Sequence, residues 1–268
     1  MSFLKSIILL CFASSMNCFC VHFTIVIPSY NNADIASWNL KNVLSQRYDD
    51  YNVIYLNDCS TDDTASVVSN IIKHHPQGRR VKLINNPVNV GALANIYNAV
   101  HNHIKDENSV VVLLDGDDAL SHKNVLARLN KYYSQEDIWL TYGQFLMKNS
   151  CTRGWAAQIP YDLAISGNTR SFPHVPTHLR TFKTWLFRRI KVSDLKHQGE
   201  FYPMAWDLAI MLPMVEMAAN HHYKFIGEVL YIYNDGNPLS DHIKDKSYQR
   251  KLDLQIRSKP RYSPLKCK

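Results

Sequence analysis

Short apolar runs alternate with amphipathic stretches along the first half of the chain. The apolar runs predict strands at Val21–Ile27, Tyr51–Leu56, Val81–Asn85, Ser109–Asp115 and Ile138–Gly143. The stretches between them predict helices at about Asp34–Arg47, Asp62–His75, Gly91–Ile104 and Ser121–Tyr133. Near-continuous Val, Ile and Leu runs are typical of parallel strands that are buried on both faces. The pattern therefore predicts an α/β fold, a Rossmann-type sandwich with a mostly parallel central sheet and helices on both faces.

The regular alternation of apolar runs and amphipathic stretches ends after Gly143. Residues 144–175 follow no clear period, and the elements predicted beyond them are a helix at Thr177–Ile190, a helix at Met204–Ala219 and a strand or hairpin at Lys224–Asn234. No internal repeat and no Pro/Gly/Ser-rich linker divides this part of the sequence. We therefore expect one domain over residues 21–240, followed by a basic tail at 241–268.

Residues 1–20 have the pattern of a targeting segment. Lys5 precedes the apolar run Ser6–Ser15, which is short for a membrane span and suits a secretory signal peptide, with a membrane anchor as the alternative. A working signal would place the protein in the lumen of the secretory pathway, whereas otherwise a cytoplasmic, membrane-associated location fits. Three of the six cysteines lie in this segment, and the others are scattered, which predicts neither a disulfide framework nor a cysteine metal site.

Composition and charge narrow the function classes. Of 268 residues, 46% are hydrophobic and 20% are charged, which excludes a disordered or low-complexity chain. The formal net charge is +7, and residues 241–268 carry nine Lys and Arg against three Asp, so the tail accounts for six of the seven charges. The nearly neutral body predicts no nucleic-acid binding, whereas the tail or the leader is suited to contact with a membrane surface.

Polar motifs follow the predicted strands, at the edge of the sheet where ligands bind in such folds. Pro28 and Tyr30 follow the first strand, and the aromatic ring there can frame a base. After the second strand, Ser60–Asp62 are explained as helix caps, but Asp58 is not, and its carboxylate can accept the imide N–H of uracil or thymine. After the third strand, Gly91 permits close approach of a ligand to a helix start, with an ordinary loop and cap as the alternative.

The fourth strand ends in the acidic cluster Asp115-Gly116-Asp117-Asp118. Three carboxylates at the edge of a buried strand repel one another and lose solvation, so a cation normally holds them there. Ligands that are all oxygen atoms suit Mg²⁺ or Mn²⁺, which also bind phosphate. The alternative is an Asp-rich turn in which Asp118 caps the next helix.

Four segments together resemble glycosyltransferase family two, the inverting nucleotide-sugar transferases with the GT-A fold. The segments are IVIPSYNN, LNDCSTDDT, NVGALANIYNA and LLDGDD, the last being the DXD element, and they occur in the family's order over roughly residues 22–120. Asn57 and Cys59 depart from the family's usual DDGS. The resemblance implies a GT-A-like fold with a nucleotide-binding half at 21–118 and an acceptor half at 119–240.

The resemblance also implies roles for matching positions. The predicted donor-binding residues are Pro28, Tyr30, Asp58, Gly91, Asn95, Asp115 and Arg180. Asp115 would lie near the ribose and, with Asp117, would bind a Mn²⁺ or Mg²⁺ ion that bridges the two phosphates. His242, in the segment before the tail, is the predicted third metal ligand, and a merely exposed histidine is the alternative.

Inverting transfer requires a carboxylate that takes the proton of the acceptor hydroxyl. The family places this Asp at the start of a helix in its second half, where Asp207 follows Trp206 in this chain. An Asp favoured there only by the helix dipole is the alternative, and Glu216 is the second candidate base. Arg180, in a basic and aromatic loop, would steer the diphosphate or shape the acceptor site, unless it lies on an ordinary solvated helix face.

These observations predict an inverting, metal-dependent glycosyltransferase. It would move a sugar from a nucleoside diphosphate donor, a UDP-sugar, to a hydroxyl group of a glycan, protein or lipid. A sugar nucleotidyltransferase is one alternative, but it would need a Gly-rich phosphate loop with a basic residue, which PSYNNAD lacks. A catalytically silent nucleotide-sugar-binding module is the other, and the retention of Asp115, Asp117 and Asp207 argues against it.

Overall fold

The computed structural model describes residues 20–173, 176–237 and 245–266, and it is built around an eight-stranded sheet. The strands are β1 (Phe23–Ser29), β2 (Tyr51–Asn57), β3 (Val81–Asn85), β4 (Val110–Leu113), β5 (Ala119–Leu120), β6 (Leu140–Met147), β7 (Arg180–Lys183), β8 (Lys196–His197), β9 (Glu200–Phe201) and β10 (Tyr223–Tyr233). The sheet has the order β3-β2-β1-β4-β7-β6-β10-β5, and β8 and β9 pair separately. The predicted α/β fold class is confirmed.

Helices connect these strands. They are α1 (Ala33–Leu44), α2 (Thr64–His74), α3 (Ala92–Asn98), α4 (Val125–Gln135), α5 (Tyr161–Ile165), α6 (Thr184–Phe187), α7 (Trp206–Met217) and α8 (Lys246–Ser258). Shorter turns lie at Gly78–Arg80, Ala99–His103, Thr169–Ser171 and Val192–Leu195. The helices predicted in the first half correspond to α1 to α4, and the helix predicted at Gly91–Ile104 is divided into α3 and the turn Ala99–His103.

The sheet is parallel in its first half and mixed in its second. Strands β3, β2, β1 and β4 are parallel neighbours, with Ile25 opposite both Val53 and Val112. Strands β6 and β10 are also parallel, whereas β7 runs antiparallel to β4 and β6, and β5 runs antiparallel to β10. The parallel half therefore directs the ends of β1, β2 and β4 to one edge, which is where the predicted motifs lie.

Helices cover both faces of the sheet because successive side chains of a strand point to opposite faces. On one face Ile25 packs in a buried cluster with Leu40 of α1 and Leu129 of α4. On the other face Val26 lies in a cluster with Ile96 of α3 and residues of α7. All of the side chains of β1 are buried, as expected for a strand that is covered twice.

The helix predicted at Thr177–Ile190 is wrong. Residues Arg180–Lys183 form β7, and only the single turn Thr184–Phe187 that follows is helical. The Thr181 hydroxyl lies 2.8 Å from the Tyr133 hydroxyl and 2.6 Å from the Thr141 hydroxyl, inside the core. Pairing with two neighbouring strands and this buried contact override the helical pattern of the local sequence.

The second candidate base, Glu216, is part of a buried ion pair that holds the C-terminal segment. Arg170 donates through Nε and Nη2 to the two Glu216 carboxylate oxygens at 2.6 and 2.9 Å. The third nitrogen of Arg170, Nη1, donates to the carbonyls of Ile256 and Lys259, and the Tyr262 N–H donates to Glu216. Glu216 is 2% exposed, so its role in the described structure is packing rather than proton transfer.

Part of the basic tail is also used inside the fold. Arg257, Lys259 and Arg261 all donate to main-chain carbonyls of neighbouring loops. The tail is thus a docked helix and extension from 245 to 266, rather than a frayed coil. Most of the predicted targeting segment and the predicted ligand His242 lie outside the described residues. Within the ranges that are described, no helix is both long and apolar enough to cross a bilayer.

Candidate active site

A cavity of about 580 Å³ opens at the edge of the sheet formed by the ends of β1, β2 and β4. The predicted site residues that line it are Pro28, Tyr30, Asp58, Gly91, Asn95, Asp115, Asp117, Arg180 and Asp207. The structure therefore brings together in one cavity every predicted site residue that it describes. Their individual roles remain predictions.

Asp58 organises the loop at the predicted nucleobase end. One carboxylate oxygen accepts from the Asn86 amide at 2.8 Å and from the Val90 N–H at 3.0 Å, and the other accepts from the Gly91 N–H at 2.8 Å. Asn86 also donates to Asn95 at 2.7 Å. Asp58 thus joins the end of β2 to the loop before α3, and a bound imide would share an oxygen with this network.

The two departures from the family pattern flank Asp58. Asn57 donates to the Asn85 amide oxygen at 3.0 Å and so joins the ends of β2 and β3. Cys59 has φ of +58°, a left-handed conformation that favours glycine. Cys59 thus adopts a conformation that glycine, the usual residue of the family pattern, forms most easily.

The acidic cluster lies in a turn that a buried polar side chain, that of Asn39, holds in place through hydrogen bonds. The Asn39 amide donates to the carbonyls of Asp115 and Asp118 at 2.9 and 2.8 Å. A Cβ atom at Gly116 would lie 2.5 Å from the Ser29 hydroxyl oxygen, so only glycine fits between β1 and this turn. The clamp explains how three carboxylates are held close together at the end of β4.

The three carboxylates have different surroundings. Asp118 is 1% exposed and accepts from the Tyr231 hydroxyl at 2.5 Å and from the Asn234 N–H at 2.6 Å, so it anchors the end of β10. Asp117 accepts from the Asn237 amide at 2.5 Å. Among the described residues, the Asp115 carboxylate has a single, long contact, 3.4 Å from the Tyr231 hydroxyl. Asp115 and Asp117 are therefore the carboxylates most available to a ligand.

The electrostatics of the cluster favour a cation. Burial raises the pKa of Asp115 to about 7, although the Arg180 guanidinium opposes the rise and Asp117 and Asp207 add to it. Burial also raises the pKa of Asp117, and it raises that of Asp118 well above its usual range. A divalent ion would relieve both the lost solvation and the mutual repulsion. The residues present thus fit a Mn²⁺ or Mg²⁺ ion, for which Asp115 and Asp117 offer the oxygen ligands.

Arg180 joins the acidic cluster to the predicted base. Its side chain is buried, and Nη2 donates to the Asp207 carboxylate at 2.7 Å. Its Nη1 donates to Nδ1 of His178 at 3.1 Å, and its guanidinium lies 5.6 Å from the centre of the Trp206 ring. Because Arg180 is only 4% exposed, the alternative of a solvated helix face is wrong.

Asp207 stands in the first turn of α7, as predicted. The residue before the helix, Ala205, has φ of +54°, so the chain turns sharply into α7 at the cavity wall. The Asp207 side chain is 27% exposed, which leaves it accessible from the cavity. Its second oxygen accepts from the N–H of Leu208 at 2.9 Å.

His178 is a residue of the site that the sequence prediction did not assign. Together with Asp115 and Asp118 it forms a group whose ligand atoms lie within 4.8 Å of one another. Arg180 can only donate, so Nδ1 of His178 is an acceptor and the neutral ring carries its proton on Nε2. Burial and Arg180 together lower the pKa of His178 well below its usual range, so the ring is neutral. In that tautomer neither ring nitrogen has a free lone pair for a metal ion.

Comparison with known proteins agrees with the class that the fold and the cavity define, that of the GT-A glycosyltransferases. The sequence model of glycosyl transferase family 2 matches residues 24–196, well over half of the chain. The chain therefore belongs to glycosyl transferase family 2, and the predicted resemblance is confirmed. A curated relative, an uncharacterized glycosyltransferase of Haemophilus influenzae, is 27% identical over 122 residues, which is 46% of each chain.

Solved glycosyltransferases share the fold. TarS 1–349 of S. aureus, in complex with UDP-GlcNAc, matches with a TM-score of 0.62 at 14% identity, over 88% of this chain and 64% of that one. The mannosyltransferase PcManGT from Pyrobaculum calidifontis, with GDP-Man and Mn²⁺, matches with a TM-score of 0.57 at 19% identity, over 88% and 62% of the chains. In the longer TarS structure the match spans 37% of that chain. At these identities the likeness shows the fold alone.

Proposed function

We propose that this protein is an inverting glycosyltransferase that moves a sugar from a UDP-sugar to a hydroxyl group of a glycan, protein or lipid. The observation that carries the proposal is the shared cavity, in which Arg180 pairs with Asp207 and its charge also acts on Asp115. The reaction needs a group that binds the leaving diphosphate on one side of the sugar and a proton acceptor on the other side. The acidic cluster and Asp207 supply these two groups in one cavity.

The donor is proposed from the nucleobase end of the cavity. Asp58 offers carboxylate oxygens beside the exposed ring of Tyr30, a combination that suits the imide and the face of uracil. TarS has been solved with UDP-GlcNAc, and a glucosyl-3-phosphoglycerate synthase from Mycobacterium tuberculosis, which matches with a TM-score of 0.58 at 15% identity over 88% of this chain and 80% of that one, has been solved with UDP and Mn²⁺. PcManGT has been solved with GDP-Man, so the identity of the donor's nucleobase, uracil or guanine, is the part of the donor proposal that most needs measurement.

Asp115 and Asp117 are the residues that would hold a Mn²⁺ or Mg²⁺ ion. The bound ion would offset the negative charge on the diphosphate as that group leaves. Asp118 anchors β10 beneath this position, and Asn237 fixes the direction of Asp117. The predicted contribution of His242 stays a prediction.

The chemical step requires one proton acceptor. The acceptor hydroxyl oxygen attacks the anomeric carbon, the bond from that carbon to the diphosphate oxygen breaks, and the hydroxyl proton passes to Asp207. Arg180 orients Asp207 through its hydrogen bond, and the same guanidinium lies close enough to Asp115 to contribute positive charge on the donor side. Attack from the side opposite the leaving group inverts the anomeric configuration.

The proposal is tested with a panel of UDP-sugars and GDP-mannose, with release of nucleoside diphosphate as the measurement. We expect turnover of at least one UDP-sugar with Mn²⁺, loss of turnover with chelator, and loss in Asp117→Ala. A matched control, Asp34→Asn, changes an exposed carboxylate on α1 and should retain turnover. Binding of UDP without turnover of any donor would favour the binding module, and full turnover in Asp117→Ala would exclude the proposed metal site.

A further inference from the structure

A second cavity, of about 610 Å³, lies beyond Asp207 and Arg180 as seen from the donor cavity. Both residues line the two cavities, so the predicted base faces each of them. The volume is within the range of small-molecule sites. In the reaction proposed above, the acceptor hydroxyl must lie next to the Asp207 carboxylate. The second cavity reaches this carboxylate and is therefore the place for the acceptor.

Aromatic side chains form one side of this second cavity. Trp155 is 58% exposed, an unusual exposure for so large an apolar ring, and its ring packs edge-on against Phe145 at 5.2 Å between centres. Tyr233 lines the same cavity and also packs against Phe145. A rigid aromatic face beside polar groups is the kind of wall that can cover the C–H face of a sugar ring.

Three carboxylates and three basic side chains line the cavity, and they differ in whether they have partners. Its three carboxylates are engaged, because Asp207 pairs with Arg180, Asp253 pairs with Arg257, and Asp235 accepts from the N–H groups of Asn149 and Ser150. Lys246 and Arg250 of α8 line the cavity, and no ion pair or hydrogen bond joins either side chain to another described residue. Asp235 keeps its negative charge, so these groups leave an excess of one positive charge, and the wall formed by α8 offers two basic side chains that no described residue pairs with.

These positive charges belong to this chain rather than to the family pattern. Helix α8 lies beyond residue 196, where the match to the family model ends. The Arg170–Glu216 pair, Arg257 and Lys259 dock the helix firmly against the domain, so the positions of Lys246 and Arg250 are defined by packing. The basic tail thus contributes Lys246 and Arg250 to the cavity that the predicted base Asp207 also lines. This role is separate from the predicted contact with a membrane.

We infer that the second cavity binds an acceptor saccharide that carries an acidic group, a phosphate or a carboxylate, with the sugar ring on Trp155 and the acidic group at Lys246 and Arg250. This inference rests on the proposed function, because it identifies the class of acceptor for the same base. Neutral saccharides fill the aromatic part of the site but leave the two charges unpaired.

The experiment measures binding of glucose, glucuronate and glucose 6-phosphate by saturation-transfer NMR, with saturating UDP and the diamagnetic ion Mg²⁺ present to fill the donor cavity. We expect the acidic probes to bind about tenfold more tightly than glucose at low salt, and we expect the difference to shrink as salt is added. The two acidic probes distinguish carboxylate from phosphate. Equal binding of glucose and both acidic sugars would overturn the inference.

Matched variants test which side chains cause the preference for acidic probes. The double variant Lys246→Gln with Arg250→Gln should lose the preference for acidic probes, whereas Lys73→Gln with Lys251→Gln removes two exposed charges outside the cavity and should retain it. Trp155→Ala should weaken all three sugars, whereas Trp38→Ala, on α1, should not. Retained preference in the first variant, or equal competition by inorganic phosphate alone, would contradict an acidic-saccharide site.

Failure of this inference can be separated from failure of the proposed function. Binding of UDP with Mn²⁺ is measured by calorimetry before any sugar is added, and thermal unfolding checks that each variant is folded. If UDP binds and the acidic probes show no preference, the acceptor inference fails and the donor site stands. If UDP does not bind, the proposed function itself fails.

Discussion

Two arginine–carboxylate pairs stand at opposite ends of α7, and they differ in what surrounds them. At the first turn Arg180 donates a single hydrogen bond to Asp207, whose side chain is 27% exposed. Near the last turn Arg170 grips both oxygens of Glu216, whose side chain is 1% exposed. The closest N–O distances, 2.7 and 2.6 Å, are nearly equal.

The difference shows that access, rather than pairing, separates a candidate base from a structural carboxylate. Glu216 uses both of its oxygens on Arg170 and Tyr262 and lines neither cavity. Asp207 lines both cavities, beside a group of other titratable residues. One end of α7 is therefore suited to chemistry and the other to holding the C-terminal segment.

The largest expected effect is on turnover in Asp207→Asn. The amide keeps the size of the side chain but cannot take a proton, so we expect kcat for sugar transfer to fall about a thousandfold. The midpoint of thermal unfolding should also fall, because the buried Arg180 loses its partner, but by less than in Glu216→Gln, because Asp207 is 27% exposed and Asp115 also lies near Arg180. Steady-state kinetics and calorimetry on the same preparation check this prediction, and wild-type turnover in the variant would remove Asp207 as the base.

Glu216→Gln should show the opposite pattern. Removing one charge of a buried pair leaves Arg170 uncompensated, and we expect the free energy of unfolding to fall by about 3 kcal/mol. At low temperature the folded fraction should retain most of its turnover, because Glu216 lines neither cavity. Denaturant unfolding measures the loss. A stable Glu216→Gln protein with no activity would reverse the comparison between the two ends of α7.

The pH dependence of stability tests the acidic cluster near the Arg180 end of α7. Asp115, near Arg180, has its pKa raised from 3.8 to about 7 in the folded protein, so the neutral acid favours folding. This stabilisation is fully present below about pH 4 and is lost as the pH rises through about 7. In chelator we therefore expect the unfolding temperature to fall between pH 5 and pH 8.

Two controls accompany the pH series. Asp115→Asn should flatten the dependence, because an amide does not titrate. Added Mn²⁺ should restore stability most at pH 8, where the ion competes with fewer protons. An unfolding temperature that rises from pH 5 to pH 8 in chelator would contradict a strongly desolvated Asp115.

The smallest expected effect is at the predicted nucleobase end of the cavity, away from α7. Cys59→Gly restores the glycine of the family pattern at a residue with φ of +58°, so we expect a gain of about 1 kcal/mol in the free energy of unfolding. Neither ion pair of α7 should be affected, and turnover should be unchanged. Denaturant unfolding checks the gain, and a loss of stability would show that the Cys59 side chain contributes more than the strained backbone costs.

Much of the donor side could be predicted from the sequence because its determinants are local. Apolar runs predicted β1 to β4, and in a parallel sheet their ends must meet at one edge, so Asp58 and Asp115 were expected together. The network between Asp58 and the loop at Gly91 could not be predicted, because it depends on how two loops approach each other. Asn39 was missed for the same reason, since it clamps a turn that lies 76 residues away.

The part of the site around Arg180 was harder to predict from the sequence, because β7 is a strand only through its pairing with neighbouring strands. The segment around Arg180 has a helical pattern, yet pairing with β4 and β6 makes it a strand. Had it been interpreted as extended, the spacing of two residues between His178 and Arg180 would have predicted both side chains on one face.

The amino-acid sequence by itself determined the family, the parallel half of the sheet and the identity of the carboxylates, because periodicity and motif order are properties of neighbouring residues. The tertiary structure alone decided that Arg180 joins Asp207 to the acidic cluster, that Glu216 is buried in packing, and that α8 forms a wall of the second cavity. Those outcomes depend on burial and on partners far apart in the chain, and both exist only once the layers have packed.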